Sequence, residues 1–586
     1  MAAEVTVTYR KRRNVELAMV LLAQILGAGG YVLTHLFRDA RLPGEWPYVV
    51  GAWVLIGLVA HLVVRFTMPY ADPVMLPIVL LLNGLGLAMI HRLDLATVPP
   101  GSDAVTQFVW TCVAVVGFAA TILAIRDPER LHRFPYILFL VGVVLLLLPL
   151  VPGLGRTNYG ATIWISIAGY SFQPAEIAKI VLAIAFASYL ADRRTVLAQA
   201  GHRFLGVELP RARDLGPVLL MWGASLIVLV AESDLGTSLL FFGLFVMMLY
   251  VATEKIAWPI LGGLLFVGGA LLAYQLFGHV RVRVSSWLDP FSDFQQNYQI
   301  IQGQFGMAWG GLFGRGWGLG SPSLTPLAKS DFIATAIGEE LGTVGLMAVI
   351  VLYALLVTRG LRTALTVTEP FLKLLSAGLA FVVALQVFAI IGGVTRLLPL
   401  TGLTTPFMSQ GGSSLLANWV VLALMLMVSH IARKPRPEPV AGPVEVSLAA
   451  DATQAIPVQR LPRSPITPDD PAAAAPTVPL GAGAKTEIVA GSGRSSDAVD
   501  PDAPTSYIAV PDAPTSQIVS PDAPTTYIPG IGAPGPDVSA TGIPDTQRPH
   551  TAATPESAPE PGQDAPPSPL PDPDATRQVP RIGGDQ

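Results

Sequence analysis

The chain has 586 residues, of which 52% are hydrophobic and only 13% charged, and its formal net charge is −4. Soluble domains carry roughly 25% charged residues, so an ordinary soluble protein is excluded. Two populations lie behind the average: residues up to about Ile431 are strongly apolar, and the remainder is nearly free of aromatics. No nucleic-acid partner is expected. The single cysteine, Cys112, lies in an apolar run, so it reads as a small buried hydrophobe rather than part of a disulfide or thiolate metal site.

The basic segment at residues 1–14 precedes an apolar run too long for a cleavable signal, which predicts a cytoplasmic N-terminus and a retained first helix. On the scale of a bilayer-spanning helix, twelve spans are predicted. They lie near 15–36, 48–66, 74–91, 105–125, 134–153, 174–191, 215–232, 236–253, 257–276, 334–358, 371–394 and 413–431. The fold class is therefore all-α, a polytopic membrane domain over 15–434. Alternate connections are rich in arginine and lysine: Arg126/Arg130/Arg133, Arg193/Arg194/Arg203/Arg211/Arg213, Arg359/Arg362/Lys373 and Arg433/Lys434/Arg436. By the positive-inside rule both termini are cytoplasmic and the long 277–333 loop faces outside.

Residues 159–180, YGATIWISIAGYSFQPAEIAKI, join an amphipathic stretch with Trp164 to a helix start at Gln173-Pro174. Glu176 and Lys179 stand three apart on that helix. Charges inside a span are costly unless paired or facing a polar cavity, so they mark either a substrate path or an internal ion pair. Asp234, in the short acidic connection 232–237, reads first as a helix cap and second as a divalent-cation ligand. The outer loop opens with Arg281 and Arg283 and carries Arg315 in a glycine-rich run. It closes on Asp331, which is either a cap for the next helix or a partly desolvated general base. Arginine forks grip phosphate oxygens, so Arg281, Arg283, Arg315 and the later Arg396 are candidate pyrophosphate ligands. The stretch around Ser409, Gly411 and Gly412 is broken backbone at membrane depth, tolerated where it lines a cavity, and its N–H groups favour anions.

From 435 to 586 the composition turns to Pro, Ala, Asp, Thr and Ser, which predicts a disordered cytoplasmic tail. It contains three decapeptide repeats over 501–530, PDAPTSYIAV, PDAPTSQIVS and PDAPTTYIPG. Thr505, Thr515 and Thr525, with Thr453 and Thr576 in looser relatives, are candidate phosphorylation sites for a Ser/Thr kinase and for readers resembling forkhead-associated domains. A spacer with drifted repeats is the competing reading.

Taken as an ordered set, these motifs resemble the SEDS family (shape, elongation, division and sporulation proteins), and within it the RodA branch. The matching stretches are 159–180, ESDLGTSLL at 232–240, RVRVSSWLDPF at 281–291 and NYQIIQ at 297–302. GGLFGRGWGLG at 310–320, SDFIATAIGEELG at 330–342 and LTGLTTPFMSQGGSSLLANW at 400–419 complete the set. The resemblance implies a peptidoglycan glycosyltransferase that polymerises lipid II at the outer face of the cytoplasmic membrane, with a class B penicillin-binding protein as partner. It implies Asp331 as the base that deprotonates the acceptor hydroxyl, and a divalent cation (Mg or Mn) as a possible aid at Asp234 and Asp331. The substrate-binding candidates are Trp164, Gln173, Glu176, Lys179, Arg281, Arg283, Gln299, Arg315, Arg396, Ser409, Gly411 and Gly412. This chain departs from the family pattern at Leu327, where a glutamate usually follows the proline, at Ser330 in place of threonine, and at Gln410 in place of tyrosine. A lipid II flippase and a non-catalytic scaffold are the alternative functions.

Overall fold

The computed structural model describes residues 11–158, 161–167, 169–197 and 234–435, with a few positions between 203 and 224. The described residues fall within one compact unit, Met1–Ala452. Four helices come first: α1 (Arg13–Asp39), α2 (Trp46–Thr67), α3 (Met75–Asp94) and α4 (Asp103–Ala124). A shorter apolar helix, α5 (Pro135–Leu147), leads to a three-stranded antiparallel sheet of β1 (Gly155–Asn158), β2 (Ala161–Ile167) and β3 (Tyr170–Phe172). Then follow α6 (Pro174–Leu197), α7 (Leu235–Thr253) and α8 (Ala257–Leu276). The long loop that follows carries α9 (Gly278–Leu288) and α10 (Tyr298–Gly310). The unit closes with α11 (Ile333–Glu340), α12 (Gly342–Thr366), α13 (Pro370–Val394) and α14 (Gly412–Arg433).

Among the described residues ten helices are long and apolar enough to cross a membrane, and they start and stop close to the predicted spans. Two predictions change. The run expected to span from 134 to 153 is helical only to Leu147, with a tighter turn over Leu148–Leu150. The run 334–358 is two helices: α11 is a short, fully buried half-helix, and the crossing helix α12 begins at Gly342. The break has a local cause. Gly342 has φ +71, and a Cβ there would lie 2.3 Å from the Gly314 nitrogen, so only glycine fits the turn. The predicted span 215–232 and the whole tail, with Thr453, Thr505, Thr515, Thr525 and Thr576, lie outside the described residues.

Burial separates inner from outer helices. α3 and α6 bury 78% of their apolar window and α13 and α14 bury 72%, whereas α8 and α12 bury 28%. In a bilayer, apolar area alone does not drive helices together, so packing and polar contacts must do it. Close backbone approach supplies part of this: a Cβ on Gly86 of α3 would meet the Met408 carbonyl oxygen at 2.3 Å. The broken 400–411 segment is thereby pressed onto the central helix. Its carbonyls are satisfied by buried side chains, as backbone at this depth requires. Asn83 donates to Phe407 (3.1 Å), Gln107 to Ser409 (3.0 Å), Gln386 to Thr404 (2.8 Å), and Tyr353 to Pro406.

Candidate active site

A cavity of about 440 Å³ opens between β2, the start of α6, the start of α7, the loop helices α9 and α10, the turn before α11, and the 400–411 segment. Asp331 is on its wall. The turn that presents Asp331 is held from several sides. Leu327, at φ +54, accepts hydrogen bonds from the backbone nitrogens of Ser330 (3.0 Å) and Phe332 (3.2 Å). Ser409 Oγ donates to the Ser330 carbonyl (2.6 Å), and the Gln410 nitrogen donates to the Lys329 carbonyl (2.8 Å). Lys329 itself forms ion pairs with Asp94 at the end of α3 and Asp103 at the start of α4 (2.8 Å to the latter). Rigid elements on both sides thus fix the position of one carboxylate, which is what a base needs.

Asp331 does not cap a helix. The N-cap position of α11 is Phe332, which makes no side-chain cap hydrogen bond. Of the two roles open to Asp331, the structural one is absent. Burial pushes its carboxyl up from 3.8 to about 6; Arg283 opposes the shift, the negative charge of Asp234 adds to it, and a hydrogen bond with Ser330 lowers it slightly. Asp234, across the same cavity, is a cap in full: Oδ1 accepts from Gly236 N (2.9 Å) and Thr237 N (3.2 Å), and Oδ2 accepts from the Thr237 hydroxyl.

Trp164, Gln173, Glu176, Arg283 and Gln299 meet at this cavity with Asp234 and Asp331. Arg283 Nη1 donates to the carbonyls of Leu400 (3.0 Å) and Thr401 (3.1 Å), and its Nε and Nη2 bond to nothing among the described residues. Gln299 Nε2 is buried without a partner. Glu176 pairs with Lys179, which lies one turn deeper and also bonds Gln386 (3.1 Å) and Asn418 (3.3 Å), so the pair forms a polar floor. Here the ion-pair and cavity readings of Glu176 and Lys179 coincide.

The other predicted residues lie off the cavity. Arg281 is exposed on α9. The Arg315 guanidinium stacks 4.3 Å over the Trp309 ring. Arg396 donates to the carbonyls of Trp287 (2.9 Å) and Leu288 (3.1 Å), a strap between loop segments. Of the four arginines expected to grip a pyrophosphate, Arg283 is the one that lines this cavity. At Ser409, Gly411 and Gly412, where an anion cradle was expected, the structure places contacts within the chain. Gly411 N donates to Gln107 (3.1 Å), Ser409 Oγ is engaged with Thr405 N and the Ser330 carbonyl, and Gly412 packs tightly on Trp110. The glycine run 310–320 wraps the break between α11 and α12: Arg315 N and Gly316 N donate to the carbonyls of Glu339 and Glu340 (both 3.0 Å).

For a divalent cation the donor set fits poorly. The described residues hold no group of three potential metal ligands, and the Asp234 oxygens already accept three donors. Glu232 lies outside the described residues. Sequence reasoning missed Lys329, Gln107, Gln386 and Asn418. For the last three a signal existed, since each is a polar residue inside an apolar span.

A helical membrane bundle with a carboxylate of raised pKa at one end defines an integral membrane protein with an enzyme-like site. The family model for FtsW, RodA and SpoVE proteins, described as cell cycle protein, matches residues 73–434, and the chain belongs to this family. It is 46% identical over 430 residues to the peptidoglycan glycosyltransferase RodA of Mycobacterium tuberculosis, which spans 72% of this chain and 92% of that protein. The RodA of Mycobacterium leprae is equally similar over 433 residues. Among solved structures, one from a peptidoglycan synthase complex that coordinates polymerization and crosslinking matches with TM-score 0.50 and 25% identity, over 62% of this chain and 99% of that one.

Proposed function

We propose that this chain is a peptidoglycan glycosyltransferase that polymerises lipid II at the outer face of the cytoplasmic membrane, with Asp331 as general base. The observation that carries the reading is an Asp331 carboxylate that caps nothing, is raised to about 6, and shares a cavity with Arg283 and Trp164. A base with that pKa is ionised at neutral pH yet holds a proton well, as proton abstraction requires. Asp331 takes the proton of an acceptor sugar hydroxyl, whose oxygen attacks the anomeric carbon of the second lipid-linked sugar. The glycosidic bond forms with inversion as the bond to the undecaprenyl pyrophosphate breaks. Arg283 presents its unengaged N–H groups to the negative charge that gathers on that leaving group. Trp164 offers a flat face to a sugar ring.

Arg359 and Arg433 meet at Asp72 on the face where α1 begins and α14 ends, which supports cytoplasmic termini and an outward cavity. The relative in a synthase complex supports pairing with a class B penicillin-binding protein that crosslinks the product. The tail threonines serve, on this reading, as kinase sites for forkhead-associated partners; phosphopeptide mapping of native membranes tests that. The central experiment supplies labelled lipid II to the purified chain with its partner. Polymer from the natural chain and none from Asp331→Ala, with the variant folded and partner-bound, is the expected result. Equal polymerisation by the variant refutes the role of Asp331.

A further inference from the structure

The end of the bundle opposite the cavity carries a second concentration of charge. There α1 begins at Arg13, α14 ends at Arg433, and the loop between α2 and α3 lies between them. Two adjoining hollows of about 580 and 270 Å³ share Arg12 and Val15. Lys11, Arg13 and Arg65 border the first, and Arg359 and Arg433 border the second. Against these six cations stand two buried carboxylates, each already engaged. Glu16 is paired with Arg13 and is hydrogen-bonded with His61 Nδ1 (2.8 Å). Asp72 Oδ1 accepts from Val74 N (2.8 Å), while its Oδ2 serves both Arg433 and, at 3.7 Å, Arg359. One carboxylate oxygen cannot satisfy two guanidinium forks. The Arg12 side chain bonds to nothing among the described residues.

We propose that this hollow binds the phosphate headgroup of an anionic membrane phospholipid. Arg12 and Arg359 grip the phosphate oxygens, and an acyl chain lies along Val15 and Met19 of α1, which line the same hollow. The combination selects the occupant. A soluble anion uses the arginines and leaves the apolar wall uncovered, whereas a phospholipid covers both. Seated there, the lipid ties the first and last helices of the bundle together through the loop that Asp72 anchors.

The test uses the full chain in neutral detergent, titrated with phosphatidylglycerol or phosphatidylcholine, with retained lipid read by native mass spectrometry. Phosphatidylglycerol is retained in preference, and Arg12→Ala and Arg359→Ala each weaken its retention about fivefold while phosphatidylcholine is unaffected. Asp72 keeps Arg433 in the second variant, so its fold persists. Equal retention of the two lipids, or undiminished selectivity in the double variant, overturns the proposal. So does displacement of the lipid by soluble glycerol phosphate at equal concentration, which would show that phosphate alone is read. Capture of the chain's own tail instead of lipid by a photo-crosslinker at Arg12 is equally fatal.

Discussion

Two aspartates face the same cavity from the entrances of two helices, and the chain uses them in opposite ways. Asp234 accepts three hydrogen bonds at the start of α7. Asp331 stands two residues before α11, caps nothing, and is desolvated with Arg283 as its main favourable charge. Residue type, cavity and position before a helix are shared. What differs is whether backbone donors point at the carboxylate: Asp234 is held by its helix start, while the Asp331 carboxyl is desolvated and pushed up to about 6.

The largest break in this comparison is Asp331→Asn, which keeps shape and removes the base. Polymerisation falls about 10²- to 10⁴-fold, the usual contribution of a positioned base, measured as glycan formed from labelled lipid II. Loss of fold would mimic that result, and stability separates the two. The folded state holds the Asp331 proton more tightly than the unfolded chain between pH 3.8 and about 6, so ionising it costs stability as pH rises through that window. At pH 7.5 the variant therefore melts no lower than the natural protein, and its advantage, at most about 3 kcal/mol, vanishes below pH 4. The natural enzyme loses activity as pH falls through about 6, where Asp331 becomes protonated. A flat profile from pH 7.5 to 5 would remove it as the base.

Much of this was legible in the chain. Apolar runs gave the helices to within a few residues because a bilayer admits few alternatives for backbone hydrogen bonding. Glu176 was visible because a charge inside a span is costly, Arg283 because an arginine fork suits phosphate, and Asp331 was decided between cap and base only by the family resemblance of its motif. The placement of arginines was not legible: Arg315 stacks on Trp309 and Arg396 binds loop carbonyls, choices set by tertiary geometry that spacing does not encode. Nor was the division of 334–358, which depends on Gly314 and Gly342 meeting across a turn.

A smaller break acts through support rather than chemistry. Lys329→Met leaves Asp94, only 3% exposed, without its cation. The cost is about 2–3 kcal/mol, below that of a fully buried pair because Lys329 is partly exposed. Polymerisation falls too, since the turn that carries Asp331 loses its tie to α3 and α4. Adding Asp94→Asn removes the stranded charge and restores most of the stability, read by thermal unfolding, without restoring the tie. If the double variant is no more stable than Lys329→Met, the ion pair is not what anchors the turn.

The finest test sets the two aspartates against each other. Asp234→Asn keeps a good capping side chain, so α7 stays intact while the negative charge goes. That charge is one of the influences raising Asp331, so its removal lets Asp331 ionise more readily and moves the acidic limb of the activity profile to lower pH. Arg283→Gln moves the limb the other way, because Arg283 favours the ionised form. The rate at the alkaline plateau changes little in the first variant and falls in the second, since in the proposed mechanism only Arg283 also serves the leaving group. The limb position reports the field at Asp331, and the plateau reports contact with substrate. If both variants left the limb at the same pH, the carboxylate being titrated would not be Asp331.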